Sequence, residues 1–169
     1  MLSASMSFNV FLTYSMNPDE QSLVWRLQTL ATAQGIHMYV PARQLPADAG
    51  AVRRNGIRRE VRTAIDGADC VLAIITANAG VEVQGELDYA LSQNKLILPI
   101  VEVGVGNPGY FRRFPRVFSF SPQEPPDKLE REVVDFLSDQ KLNKEEKQTM
   151  GAVVAIGVGM LLLNALSRE

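Results

Sequence analysis

Glu82, Glu86 and Tyr89 recur at i, i+4 and i+7, a spacing that lays two carboxylates and a phenol along one stripe of a helix. A carboxylate fixed beside a reacting centre stabilises positive charge as it develops there. What must position these groups is the stretch just before them. Val71-Leu72-Ala73-Ile74-Ile75-Thr76-Ala77-Asn78 is a short apolar run rich in β-branched residues, as in a fully buried strand, and Val83, Leu87, Ala90 and Leu91 then repeat at helical spacing. A strand therefore feeds a helix. In an open parallel sheet, ligands sit in the crevice outside the carboxyl ends of the strands, so polar residues in the first turns of the following helix are best placed for chemistry. Glu86, beside the buried face of that helix, is the foremost candidate.

The rest of the chain builds a sheet around this unit. Phe8 to Tyr14 reads as a first strand, with Ser15-Met16-Asn17 as the loop at its carboxyl end. Asn17 can cap a helix, Pro18 suits its first position, and Asp19 and Glu20 favour the positive end of the helix dipole. Leu23, Leu27, Leu30 and Ala31 continue that helix, and Gly35 supplies a left-handed stop. Ile36 to Val40 is a second strand ended by Pro41, making a βαβ unit that should cross over right-handed. The segment from Pro41 to Gly56 is longer than the usual connection in an α/β unit, and long loops are commonly functional. Ile57, Val61, Ala64 and Ile65 then mark one face of a helix. Arg53, Arg54, Arg58, Arg59 and Arg62 form a basic cluster, either a solvated face or a contact for phosphates or a neighbouring subunit.

Lys95 to Val103 is a fourth strand, and Pro99 within it, lacking a ladder donor, is expected at the strand's carboxyl end. Tyr110 to Arg116 fits helix and loop equally, Val117 to Phe120 is a short fifth strand, and Leu129, Val133, Phe136 and Leu137 define a last amphipathic helix. This alternation predicts an α/β domain with a flavodoxin-like five-stranded parallel sheet in the order 2-1-3-4-5, helices on both faces, and a C-terminal hydrophobic helix. The expected organisation is a tail over 1–7, a domain over 8–140, a polar linker over 141–149 and a hydrophobic helix over 150–166.

Composition narrows the function classes. A net charge of -2 gives no long-range pull toward nucleic acid. The single cysteine, Cys70, excludes a disulfide framework and a Cys/His zinc site, and reads as a small buried hydrophobe. No metal is expected, and no cofactor. His37, the one histidine, lies in the second strand and reads as core or edge packing. Residues 1–7 lack a basic region and a long apolar region, so a cytoplasmic domain is expected. Met150 to Leu166 is apolar except for Asn164; this run of about 17 residues meets the lower edge of the roughly 17 to 25 that span a bilayer. It is expected either to anchor the domain to the inner membrane or to pack in a bundle of like helices.

Several of these pieces together resemble the Toll/interleukin-1 receptor (TIR) homology domain in the form found in bacterial immune proteins. Phe11-Leu12-Thr13-Tyr14-Ser15 resembles the family's first-strand box and the loop from Pro41 its BB loop. Glu86-Leu87 followed by Ala90 resembles its glutamate-bearing helix, and Leu96-Ile97-Leu98-Pro99-Ile100 the strand after it. The resemblance covers roughly residues 8–138. Where the family often has a serine and a tryptophan shortly before its glutamate, Gly80 and Glu82 stand here. The resemblance implies cleavage of the nicotinamide–ribose bond of NAD in antiviral defence signalling, with NAD as substrate and not as cofactor. Nicotinamide would be released with an ADP-ribose product that is linear, cyclic or transferred.

In that reading Glu86 is catalytic, Glu82 is the alternate carboxylate, and Tyr14, Ser15, Arg43 and Asn78 line the same crevice. The chemistry suits these residue types. Nicotinamide leaves as a neutral molecule, so a carboxylate that stabilises an oxocarbenium-like transition state and holds ribose hydroxyls suffices without a catalytic histidine or metal. The family also implies homo-oligomers through TIR–TIR contacts. Two alternatives stand beside it. Glu86-Leu87-Asp88-Tyr89-Ala90 followed by Lys95 is similar to the glutamate segment of nucleoside 2-deoxyribosyltransferases, which attack the same type of bond. The other is a non-catalytic TIR adaptor acting only by homotypic assembly.

Overall fold

Strand and helix alternate along the chain as β1 (Phe8–Thr13), α1 (Pro18–Ala33), β2 (Ile36–Tyr39), β3 (Arg53–Arg54), β4 (Ile57–Arg58), α2 (Arg59–Asp66), β5 (Cys70–Ile75), α3 (Val81–Ser92), β6 (Leu96–Glu102), α4 (Pro108–Phe111), β7 (Phe118–Phe120) and α5 (Asp127–Leu166). The computed structural model describes residues 7–15, 18–42, 53–54, 57–77 and 79–166, and only the backbone of Asp19, Arg53, Arg54 and 148–166. Five strands form one parallel sheet in the order β2-β1-β5-β6-β7. Counted along this sheet alone, that is the flavodoxin-like order 2-1-3-4-5.

Alternation along each strand divides the core in two. Val10, Leu12, Cys70, Leu72 and Ile74 point to one face, where Leu23, Val24 and Leu27 of α1 meet Val133, Val134 and Leu137 of α5. Phe11, Val71, Ala73 and Ile97 point to the other, against Val61 and Ile65 of α2 and Leu87 and Ala90 of α3. A strand apolar at every position is thus explained by burial on both sides. Gly35 takes the left-handed turn expected of it, with φ of 68°, and His37 lies exposed on the edge strand β2.

Two expectations need correction. The helix read from Ile57 begins at Arg59, because Ile57 and Arg58 pair antiparallel with Arg54 and Arg53 in a two-stranded ribbon. Pro99 sits within β6 and not at its carboxyl end: it is in register with Ala73, and the ladder to β7 begins only at Ile100. A missing N–H at 99 therefore costs nothing on that side. The helix begun at Asp127 runs on through the polar segment 141–149. Lys141 donates to the Gln34 carbonyl at 3.2 Å, and Lys144 pairs with Asp69 at 2.8 Å, at the amino ends of the strands. Among the described residues no helix is long and apolar enough to cross a membrane.

Candidate functional site

The chain reverses direction across the sheet between β1 and β5. From β1 it crosses through α1 to β2 on one side, and from β5 through α3 to β6 on the other. Such a switch point is where open α/β sheets generally place a ligand crevice, at the carboxyl ends of the two strands. The side chains there follow from strand periodicity. Thr13 continues the row of Phe11 toward α3, whereas Thr76 follows Ile74 toward α1.

Glu86, in the second turn of α3, is only 4 % exposed, and Thr13, fully buried, donates its hydroxyl to Glu86 Oε2 at 2.5 Å. A carboxylate on a helix thereby meets a hydroxyl borne by the neighbouring strand, and its position is tied to the sheet. Burial of a carboxylate is tolerated only with such hydrogen bonds. Beside α3 lies the base of the long loop. Ile57 is buried with its Cγ1 3.7 Å from where a Cβ on Gly85 would stand, and Arg58 donates to the Ala42 carbonyl at 2.5 Å. The segment that starts at Pro41 is thus closed at its root next to the residue preceding Glu86.

A second buried carboxylate stands across the switch point. Glu20, in the first turn of α1, is 1 % exposed; it accepts the Thr76 hydroxyl at 2.5 Å through Oε1 and the Ser15 N–H at 2.6 Å through Oε2. Ser15 in turn accepts the Gly80 N–H at 3.3 Å, and Ala77 N–H donates to Glu102 at the end of β6, also at 3.3 Å. Glu20, Thr13 and Thr76 were not singled out from the sequence, where Glu20 reads as a dipole residue. The signal was present, because the rule that points to the helix after β5 points equally to the helix after β1.

The other sequence candidates are placed differently. Glu82 is exposed on the first turn of α3 and does not share the buried surroundings of Glu86. Tyr14 is half-buried and packs against the α1/α5 side of the core, on the opposite face of the sheet from Glu86. Ser15 lies at the crevice, in the network described. Arg43 and Asn78 lie outside the described residues. Tyr89, though in the sequence stripe, points away from the crevice and donates its hydroxyl to Asp66 at 2.7 Å. That bond is the main cause that raises the Tyr89 pKa above 10, with desolvation and the Asp66 charge adding and Arg62 opposing. Cys70 is buried, and burial above all, with the Asp69 charge, pushes its thiol pKa up. Among the described residues no group of three or more His, Cys, Asp or Glu side chains could hold a metal ion.

No family model matches the chain, and no curated relative matches it either. Solved structures do. The CMP N-glycosidase BcmB from Clostridium botulinum is 16 % identical, aligned over 76 % of this chain and 97 % of its own, with a TM-score of 0.51. The signal receiver domain of a LuxO repressor protein from Vibrio parahaemolyticus is 11 % identical over 82 % and 96 %, with a TM-score of 0.49. The TIR domains of the Roq1 resistosome are 15 % identical over 79 % and 81 %, with a TM-score of 0.45. At such identity the likeness to BcmB is one of fold, and it agrees with the strand order: the chain has a flavodoxin-like α/β fold.

Proposed function

We propose that this chain cleaves an N-glycosidic bond to ribose, with NAD as substrate and Glu86 as the catalytic carboxylate. The observation that supports it is the buried Glu86, held by Thr13 at the switch point of the sheet. In the reaction the bond between the ribose C1′ and the nicotinamide nitrogen breaks, and its electron pair goes to nicotinamide, which departs neutral. Positive charge spreads over C1′ and the ring oxygen, where a carboxylate stabilises it. Water or another acceptor then adds to C1′ and releases one proton. No proton need be supplied to the leaving group, so a site built on one carboxylate is sufficient.

The BcmB fold likeness favours a second reading, a nucleotide N-glycosidase acting on a substrate such as CMP. Cytosine departs as an anion unless protonated, so that reaction asks the site for a proton donor as well. One assay separates the two. Concentrated protein is incubated with NAD or CMP, and nicotinamide, ADP-ribose species and cytosine are resolved by chromatography. Nicotinamide release that disappears in Glu86→Gln supports the proposal, cytosine release alone replaces it, and neither release at high protein concentration leaves the adaptor reading.

Assembly of several copies belongs to the same proposal, with the loop from Pro41 completing the pocket of a neighbour. Specific activity should then rise steeply with protein concentration. Flat activity across a dilution series, with a monomer in light scattering, removes that part. The run 150–166 is proposed to hold the chain in a membrane or in a helical bundle, and fractionation without detergent distinguishes these.

A further inference from the structure

Glu20 has no part in the chemistry just proposed, yet it lies on a run of hydrogen bonds that reaches the start of the helix bearing Glu86. We propose that Glu20 is a positioning residue that locks the start of α3, and through it Glu86, to the carboxyl ends of β1 and β5. For its kinetic arm this inference rests on the N-glycosidic reading above.

The path is continuous. Thr76 at the end of β5 donates to one oxygen of Glu20, and the Ser15 N–H after β1 donates to the other. The Ser15 hydroxyl then accepts the N–H of Gly80, the N-cap residue of α3. Gly80 has no side chain with which to cap that helix, and its own N–H is held by the loop after β1. Three hydrogen bonds thus run Thr76–Glu20–Ser15–Gly80 across the switch point, from the α1 side to the α3 side. Thr13 adds a second tether in the next turn, directly on Glu86. Two faces of the sheet that share no core cluster are joined here by polar links.

The length of the side chain matters more than its charge in this role. In Glu20→Gln the carbonyl can still accept from Ser15, while the amide donates to a Thr76 hydroxyl that has simply turned around. Ala removes both links. An error of about 1 Å in a catalytic group costs up to about 100-fold in rate, which sets the scale expected.

The test combines amide hydrogen exchange with steady-state NAD cleavage on the full chain, for wild type, E20A, E20Q and T76V. In E20A the amides of Gly80 and Val81 should exchange on the order of tenfold faster while those of β6 do not change. The kcat should fall roughly 10- to 100-fold with KM within about twofold. E20Q should recover most of both effects, T76V should show part of them, and E20A with T76V should be no worse than E20A alone. Should E20A fail to fold, E20Q and T76V carry the same comparison. Unchanged exchange at Gly80 together with unchanged kcat overturns the proposal. So does a KM effect without a kcat effect, which would make Glu20 a substrate contact, or an E20Q as impaired as E20A. A wild type that releases no nicotinamide overturns the substrate reading instead, and exchange at the start of α3 then judges Glu20 alone.

Discussion

The two ends of the central sheet hold carboxylates in different ways. At the carboxyl end Glu20 and Glu86 are almost fully buried and are met by short threonine hydroxyls that project from the ends of β5 and β1. At the amino end Asp69 is a quarter exposed; it accepts the Asn9 N–H at 2.8 Å and pairs with Lys144 of α5 at 2.8 Å. A threonine on a strand has one torsion to settle, whereas a lysine brings four and a solvated ammonium. The first kind of contact places an atom; the second fastens one element to another. On the proposed reading, the difference puts reactivity at one end and stability at the other.

The strongest test of that division is Glu86→Gln, which should lower NAD cleavage on the order of 100- to 1000-fold and leave the melting temperature nearly unchanged. Wild-type turnover by this variant would end the assignment, and loss of activity in Glu82→Gln instead would move the site one turn earlier. Next in size is Thr13→Val. Hydrogen bonds to charged groups are worth about 1.5–3 kcal/mol, so this variant should lose both stability and, on the order of tenfold, cleavage rate. A Thr13→Val that lost stability alone would put the two ends of the sheet on the same footing.

Lys144→Ala sharpens the comparison from the other side. Its partly exposed pair with Asp69 should contribute no more than about 1 kcal/mol, less at high salt, and cleavage should not change. A large loss of activity would show that the two ends are coupled. Cys70 reports on the same amino end. Its buried, neutral thiol should resist alkylation at pH 8 in the native protein and react once the chain is unfolded in urea; rapid native labelling would mean that this end opens.

The smallest effect belongs to Tyr89→Phe, on the face of α3 away from the crevice. The protonated phenol is the form that donates to Asp66, so its contribution is fully present below pH 10, the unfolded value, and fades as pH rises through the higher folded one. About 0.5 kcal/mol should separate the variants at neutral pH, reduced by solvent exposure, and the gap should close in strong alkali. Melting curves at pH 7 and pH 11 measure it.

Much of the fold was legible because the hydrophobic pattern encodes it directly. Strands buried on both faces must be apolar throughout, and Val71 to Ile75 and Leu96 to Val101 are. Helices covering them must repeat at helical spacing, as Leu23 to Ala31 and Val83 to Ala90 do. Boundaries were less legible where pairing overrides periodicity. Ile57 has the spacing of a helical residue, yet the ribbon with Arg54 claims it, and Pro99 offends a rule about ladders only where a neighbouring strand is present to need the donor.

The sequence by itself determined that a parallel sheet would bring the residues after β1 and β5 to one edge, because period and chain length restrict the crossovers. It also determined that a glutamate would stand in the second turn of α3. Only the tertiary structure decided which carboxylates are withdrawn from water. Glu20, Glu82 and Glu86 all lie in the first turns of helices that leave the same edge, and the spacing that put Glu86 ahead of Glu82 passed over Glu20. Burial of Glu20 and Glu86 depends on Thr76 and Thr13 arriving from other strands, and a hydrogen bond between residues 56 or 73 positions apart exists only once the sheet has formed. Local spacing sets direction along an element, and the neighbours that an element meets set its chemistry.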